Sequence, residues 1–165
     1  LNIAVMTVSD TRTEANDKSG DTLVKLLTAA GHQLAEKCIV PDDVYQLRAV
    51  LSRWIADPAI HAVITTGGTG ITGRDSTPEA VKVLLDKEIE GFGEVFRAVS
   101  YEEINTSTIQ SRALAGVANA TFLFCLPGST GACRTGWGKI ISHQLDYRTR
   151  PCNLVELMPR VLENG

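Results

Sequence analysis

The sequence predicts a three-layer α/β/α domain built on a mostly parallel sheet, with a small β-hairpin. Two patterns predict it. Short apolar, β-branched runs alternate with stretches of about 10 to 15 residues that carry apolar side chains at helical spacing. Each run also ends in turn-forming residues, and strands joined by helices imply right-handed crossovers, parallel pairing and a sheet covered on both faces. The 165 residues are enough for one domain, 1–165, with a sizeable core.

Asn2 to Ser9 is the first strand, and polar Thr11 to Asp17 is its loop. Gly20 to Ala30 carries Leu23, Leu26, Leu27 and Ala30 on one helical face and stops at Gly31, a residue suited to the position just past a helix end. His32 to Val40 is the second strand and Pro41-Asp42-Asp43 a turn and cap. Val44 to Ala56 is a helix with Leu47, Val50, Leu51, Trp54 and Ile55 on one side, ended by Pro58. Ile60 to Thr66 is the third strand, leading into a glycine-rich loop and a helix from Pro78 to Lys87. Helical stretches are expected from Glu94 to Ile104 and from Ser107 to Ala115. Val117-Ala118 and Thr121 to Leu126 form the hairpin around Asn119-Ala120, a weaker turn pair than Asn-Gly. Pro127-Gly128-Ser129 closes the last strand, and Gly131 to Leu145 and Leu154 to Leu162 are the closing helices. No repeat, low-complexity tract or compositional break marks a linker.

Hydrophobic residues make up 44% of the chain and charged residues 21%, and no apolar run approaches a membrane span. No signal peptide is visible, so the expectation is a soluble, cytoplasmic protein without a membrane partner. A net charge of −3 argues against the broad basic face of a nucleic-acid binder but leaves room for local anion binding. Cys38, Cys125, Cys133 and Cys152 lack C-x-x-C spacing and His32, His61 and His143 are scattered. They read as reduced, mostly buried thiols and structural or surface histidines, not as a zinc site.

Chemistry concentrates between Val63 and Ala80. Gly67, Gly68, Gly70 and Gly73 permit positive φ and carry no Cβ, so main-chain N–H groups can surround an anion. Ser76 or Thr77 caps the next helix, Pro78 stands in its first turn, and the positive end of that helix suits a phosphate. The spacing is neither G-x-G-x-x-G nor G-x-x-x-x-G-K-[ST], and the loop has no lysine, which leaves phosphate charge to amide dipoles, Arg74 and a metal. Asp75 has the wrong sign to grip phosphate but is the ligand type for a hard divalent cation bridging to phosphate oxygens. Glycine-rich turns also serve simply to reverse the chain, and aspartates in turns often bond their own backbone; both readings stay open. In α/β sheets ligands lie beyond the carboxyl ends of the strands, so four loops are expected on one rim: Ser9-Asp10, Pro41-Asp42, Gly67 to Asp75, and Pro127-Gly128-Ser129. Asp10, Asp42 and Asp75 would then stand around a ring of amides and hydroxyls.

Thr7-Val8-Ser9-Asp10, Thr65-Thr66-Gly67-Gly68-Thr69-Gly70, Arg74-Asp75-Ser76-Thr77-Pro78-Glu79-Ala80, Gly91-Phe92-Gly93-Glu94 and Leu126-Pro127-Gly128-Ser129 together resemble the MoaB/Mog family of molybdenum cofactor biosynthesis. Each motif alone is weak; five in the same order, spread over nearly the whole chain, are specific. Ser107 to Arg112, Ala132 to Thr135 and Arg148 to Asn153 look most like the MoaB branch. The resemblance implies a molybdopterin-binding α/β domain that assembles as trimers or hexamers, with other proteins of the pathway as further partners. Catalytic members similar to Mog adenylylate molybdopterin with magnesium-ATP before molybdenum is inserted, and their two important aspartates match Asp42 and Asp75. Some MoaB-type proteins lack one or both, so their presence favours an active enzyme. Ser129-Thr130 departs from the polar pair of the Mog branch, which bears on pterin recognition.

The implied reaction is attack by the terminal phosphate of molybdopterin on the α-phosphorus of ATP, with pyrophosphate leaving. Asp75 would hold Mg2+ against the triphosphate and Asp42 would ligate a second ion or orient the first through water. The loop of Gly67, Gly68, Thr69 and Gly70 would cradle phosphate oxygens through its amides. Ser9, Asp10, Pro127, Gly128 and Ser129 would contact the adenosine or pterin groups, and Ser111 and Arg112 the pterin phosphate, Arg112 having a surface or interface charge as its other reading. Two alternatives are a non-catalytic molybdopterin-binding protein of the same pathway and a tubulin-type GTPase. The second is suggested by Gly67 to Gly73 alone and needs a much longer chain with a different order of elements.

Overall fold

The computed structural model describes residues 1–163. Along the chain lie β1 (Asn2–Val8), α1 (Lys18–Ala29), β2 (Gln33–Val40), α2 (Val44–Ala56), β3 (Ala62–Thr66), α3 (Thr77–Lys82), β4 (Lys87–Glu88), α4 (Glu90–Ile104), β5 (Leu114–Ala118), β6 (Thr121–Leu126) and α5 (Thr130–Gly136). α5 continues through a π-helical stretch, Trp137–Ile141, into Ser142–Gln144. One six-stranded sheet has the order β2-β1-β3-β6-β5-β4. The pairs β2-β1, β1-β3 and β3-β6 are parallel, whereas β5 runs antiparallel to β6 and β4 antiparallel to β5. The expected three-layer, mostly parallel architecture with its hairpin is therefore present.

Alternation along each strand assigns its side chains to two cores. Ile3 and Val5 of β1, with Phe122, Phe124 and Leu126 of β6, meet Leu23 and Leu27 of α1, Phe92 and Phe96 of α4, and Cys133 and Trp137 of the α5 segment. Ala4, Met6 and Val8 point the other way, with Leu123 and Cys125, onto Leu47, Leu51 and Trp54 of α2 and Ala80 and Val81 of α3. Both faces of β1, β3 and β6 are thus dry, which is why these strands read as nearly unbroken apolar runs.

The helix ends are set by local chemistry. Asp17 accepts from the Gly20 amide at the start of α1, and Asp43 accepts from the amides of Tyr45 and Gln46 at the start of α2. Gly31 takes φ +84° just past α1, the left-handed position that glycine occupies without penalty. Asn119 and Ala120 both have positive φ, 48° and 64°, the geometry of a two-residue hairpin turn whose twist matches its strands.

Three segments differ from expectation. The helix expected from Ser107 to Ala115 is a 3-10 turn over Asn105–Gln110 followed by β5, because Leu114 to Ala118 are pulled into the sheet by pairing with β6. The helix expected to reach Lys87 ends at Lys82, since Lys87 and Glu88 pair with Val117 and Gly116 and Leu85 fills the space left by the missing side chain of Gly116. The last expected helix, Leu154 to Leu162, is a 3-10 helix over Val155–Arg160. Among the described residues no helix is long and apolar enough to cross a membrane.

Candidate functional site

The sheet order places β1 and β3 side by side, with α1 and α2 on opposite faces, so the chain diverges where these two strands end. A crevice opens at such a switch point. A cleft of about 570 Å³ lies there, within the usual size of a small-molecule site. Ser9, Gly67, Gly68, Thr69, Gly70, Asp75, Ser111, Pro127, Gly128 and Ser129 all line it. Asp10, Asp42 and Arg112 do not. Three of the four expected loops thus meet at the cleft, and the Pro41-Asp42 loop joins them only from behind.

The loop after β3 is shaped by its glycines. Gly67 has φ +107° and Gly68 φ +66°, and a Cβ at Gly67 would collide with the Val8 carbonyl oxygen. Gly67 donates to the Leu126 oxygen at 2.9 Å, and a Cβ at Gly128 would stand 3.2 Å from the Gly67 Cα. The exits of β3 and β6 are therefore pressed together, backbone on backbone. Among the described residues the amides of Gly68 and Thr69 donate to no protein acceptor, so they are the amides that remain for a ligand.

Ser9 and Ser129 serve as acceptors inside the protein. Ser9 Oγ receives the amides of Thr11 and Arg12 at 3.2 and 3.1 Å, and Ser129 Oγ receives the Ala132 amide at 3.1 Å as the cap of α5. Each hydroxyl keeps its own proton for donation into the cleft. Ser111 Oγ accepts from the Ala113 amide at 3.3 Å.

Asp75 closes a tight turn. Its Oδ2 accepts from the Thr72 amide at 2.8 Å and the Thr72 hydroxyl at 2.7 Å, leaving Oδ1 outside those bonds. The Thr72 hydroxyl is the largest influence on this carboxyl and, with the amides of Thr72 and Gly70 and the charge of Arg112, holds it below the ordinary aspartate value against the opposing effect of burial, which ranks second. A Cβ at Gly70 would stand 2.6 Å from Asp75 Oδ2, so the glycine is what lets the carboxylate lie along the loop. Asp42 is buried; its Oδ1 accepts from both the amide and the hydroxyl of Ser76, the former at 3.0 Å. Ser76 does not itself cap α3, and the Thr77 hydroxyl instead donates to the Gly67 oxygen at 2.9 Å. Asp10 is paired with Arg74 through two bonds of 3.0 and 2.6 Å and accepts the Asp42 amide at 3.1 Å. That pairing pulls the Asp10 carboxyl down from its ordinary value. Asp10 and Arg74 thus tie the β1 exit to the glycine loop.

Arg112 lies behind the loop. Its amide donates to the Thr69 oxygen at 2.9 Å, Nε to the Gly70 oxygen at 2.7 Å and Nη2 to the Asp75 oxygen at 2.6 Å, while Nη1 pairs with Glu79. This guanidinium holds the loop's shape.

Sequence reasoning missed the wall opposite the loop. Phe96, Ser100 and Glu103 continue one face of α4 into the cleft, Ser107 adds to it from the 3-10 turn that follows, Thr135 from α5, and Arg12 enters from the β1 loop. The helical spacing that marks Phe92 and Phe96 as core runs on to Ser100 and Glu103, and those polar side chains on an apolar stripe are the signal that points to them.

Among the described residues no three His, Cys, Asp or Glu side chains are placed to hold a metal ion by themselves. Mg2+ does not need such a cage: it binds through one or two carboxylates, substrate phosphates and water, and Asp75 beside unpaired loop amides fits that pattern.

A family model described as "Probable molybdopterin binding domain" matches residues 4–147. Molybdenum cofactor biosynthesis protein B of Escherichia coli (strain K12) is 56% identical over 151 residues, spanning 92% of this chain and 89% of that protein. A crystal structure of a molybdenum cofactor biosynthesis protein B superposes with a TM-score of 0.85 at 45% identity, covering 88% of this chain and 91% of the other. The crystal structure of the tungsten cofactor synthesizing protein MoaB from Pyrococcus furiosus gives a TM-score of 0.78 at 42% identity, over 86% and 91% of the two chains.

Proposed function

The chain belongs to the MoaB/Mog family of molybdenum cofactor biosynthesis proteins, and from that premise we propose that it is a molybdopterin adenylyltransferase that uses magnesium-ATP. One observation carries the reading: Asp75, the Gly67–Gly70 loop and the Pro127–Ser129 turn line a single cleft at the ends of β3 and β6. The terminal phosphate oxygen of molybdopterin attacks the α-phosphorus of ATP, a new P–O bond forms, and the bond to pyrophosphate breaks. Such a transfer asks mostly for positioning and charge stabilisation.

The chain's own groups supply both. The amides of Gly68 and Thr69 receive phosphate oxygens without reorganising, because glycine geometry and Arg112 have already fixed them. The hydroxyls of Ser9, Ser111 and Ser129 orient the two substrates. Bound Mg2+ would neutralise charge on the triphosphate, with Asp75 as its ligand and Asp42 supporting it through the Ser76 turn. Assembly as a trimer or hexamer and a cytoplasmic location belong to the same proposal.

A second reading, molybdopterin binding without nucleotide chemistry, is favoured by one fact: Asp42 is committed to Ser76 and stands outside the cleft. Incubation of the purified protein with molybdopterin and magnesium-ATP separates the two. The proposal expects adenylylated molybdopterin and pyrophosphate in equal amounts, falling by about a hundred-fold in Asp75→Asn. Bound pterin with no product would leave the second reading.

A further inference from the structure

Glu103 is the one charged residue on the α4 wall of the cleft, and it is the wrong sign for a site that receives phosphates. Glu103 is exposed, but it extends the stripe of Phe92, Phe96 and Ser100 by which α4 packs on the sheet, at the point where that stripe leaves the core and borders the cleft. Among the described residues no lysine or arginine pairs with it. Instead the Thr135 hydroxyl, nearly buried at the base of the wall, lies 3.0 Å from Oε1 and 2.8 Å from Oε2. The one hydroxyl proton donates to both oxygens, fixing the plane of the carboxylate and leaving an outer lone pair on each. The same cleft is lined by Arg12 and by the unpaired amides of Gly68 and Thr69, the groups that suit phosphate oxygens, with the Asp75 carboxylate beside them for a cation.

A ligand that fits this arrangement must be anionic at one end and present two adjacent N–H donors at the other. A 2-amino-4-oxopyrimidine ring does so: its 2-amino group and N3–H lie side by side and match the two oxygens of a carboxylate. Adenine does not, because the acceptor N1 sits beside its amino group and would face a carboxylate oxygen. We propose that Glu103, positioned by Thr135, reads the 2-amino-4-oxo edge of the pterin ring and thereby decides which end of the cleft takes the pterin and which the phosphates. The inference rests on the reading of this cleft as a pterin phosphate site. Glu103 thus acts twice, attracting the ring's donors and repelling a triphosphate that enters in the wrong orientation.

The test uses equilibrium binding, followed by ring fluorescence, of neopterin monophosphate and of its lumazine counterpart, in which oxygen replaces the 2-amino group. The wild-type protein is expected to prefer the pterin at least about ten-fold, since a site built to accept a donor rejects an analogue that lacks it. In Glu103→Gln the amide can turn its NH2 toward the lumazine oxygen, so the preference is expected to fall to about three-fold or less, or to invert, while binding of magnesium-ATP stays within about two-fold. Thr135→Val is expected to weaken pterin binding without altering the thermal midpoint of the fold by more than a few degrees. An unchanged pterin-to-lumazine ratio in Glu103→Gln, or no preference in the wild type, overturns the role of Glu103 and leaves the site reading intact. A wild-type protein that binds neither compound overturns the reading of the cleft itself.

Discussion

The Nη2 group of Arg112 donates to the main-chain oxygen of Asp75 at 2.6 Å, joining residues 37 positions apart in the chain. Nε of the same guanidinium reaches the Gly70 oxygen at 2.7 Å, so one rigid fork holds both ends of the turn that aims the Asp75 carboxylate. Lysine cannot reproduce a fork of this kind. Arg112→Lys is therefore expected to lose about 1–2 kcal/mol of stability in denaturant titrations and to weaken magnesium-nucleotide binding, although its charge is kept. If Arg112 instead served as a phosphate contact, Arg112→Lys would retain most of the nucleotide affinity.

Gly67 and Gly73 belong to one loop but answer to different constraints. Gly67 has φ +107° and no room for a Cβ beside the Val8 carbonyl, whereas nothing lies within 4 Å of a Cβ at Gly73. Gly67→Ala is expected to cost about 2 kcal/mol or more and to abolish nucleotide binding. Gly73→Ala is expected to be neutral or to stabilise by up to about 1 kcal/mol through the unfolded chain. Calorimetric melting of the two variants gives the comparison.

Ala120 takes φ +64° in the β5–β6 turn, a region that a residue with a Cβ enters at a cost. Ala120→Gly removes that cost but adds freedom to the unfolded chain. The balance is expected to be a gain of about 0.5–1 kcal/mol, read as a higher denaturation midpoint with an unchanged slope.

The Asp75 carboxyl titrates below its ordinary value of 3.8 because the Thr72 hydroxyl and nearby amides favour the ionised form. Its contribution to stability is therefore complete above about pH 4 and is lost as pH falls through the lower folded value. Asp10 and Glu79 are held down in the same direction by Arg74 and Arg112, so the share due to Asp75 is a difference. Stability of the wild type relative to Asp75→Asn is expected to be flat from pH 8 to 5 and to shrink only in the acid limb. A difference that grows on acidification would contradict the geometry of the turn.

The strands β1, β3 and β6 were legible because burial on both faces leaves an unbroken apolar run with a turn at its end, whereas the edge strand β2, half open to solvent, was legible from its place between Gly31 and the Pro41 turn. The segment around Leu114 was not: Ala113, Ala115 and the neighbouring residues suit a helix, and only the register with β6 and the space above Gly116 for Leu85 make it a strand. Of the site, the glycine loop and Asp75 could be read from composition and spacing. The capture of Asp10 by Arg74, and of three loop carbonyls by Arg112, depends on where distant segments arrive. Sequence shows that a charge is present and not which oxygens will surround it. Glu103 was visible as a polar residue on an apolar stripe, a pattern that gains meaning once α4 is seen to border the cleft.

The central claim is that the loop after β3 holds a nucleotide triphosphate through its amides, with Asp75 recruiting the cation. A crystal structure of the protein with Mg2+ and a non-hydrolysable ATP analogue tests it most directly. The account predicts phosphate oxygens at hydrogen-bond distance, about 2.9 Å, from the amides of Gly68 and Thr69, and an Asp75 oxygen about 2.1 Å from the ion. A triphosphate seated elsewhere, with both Asp75 oxygens still remote from the ion, would contradict it.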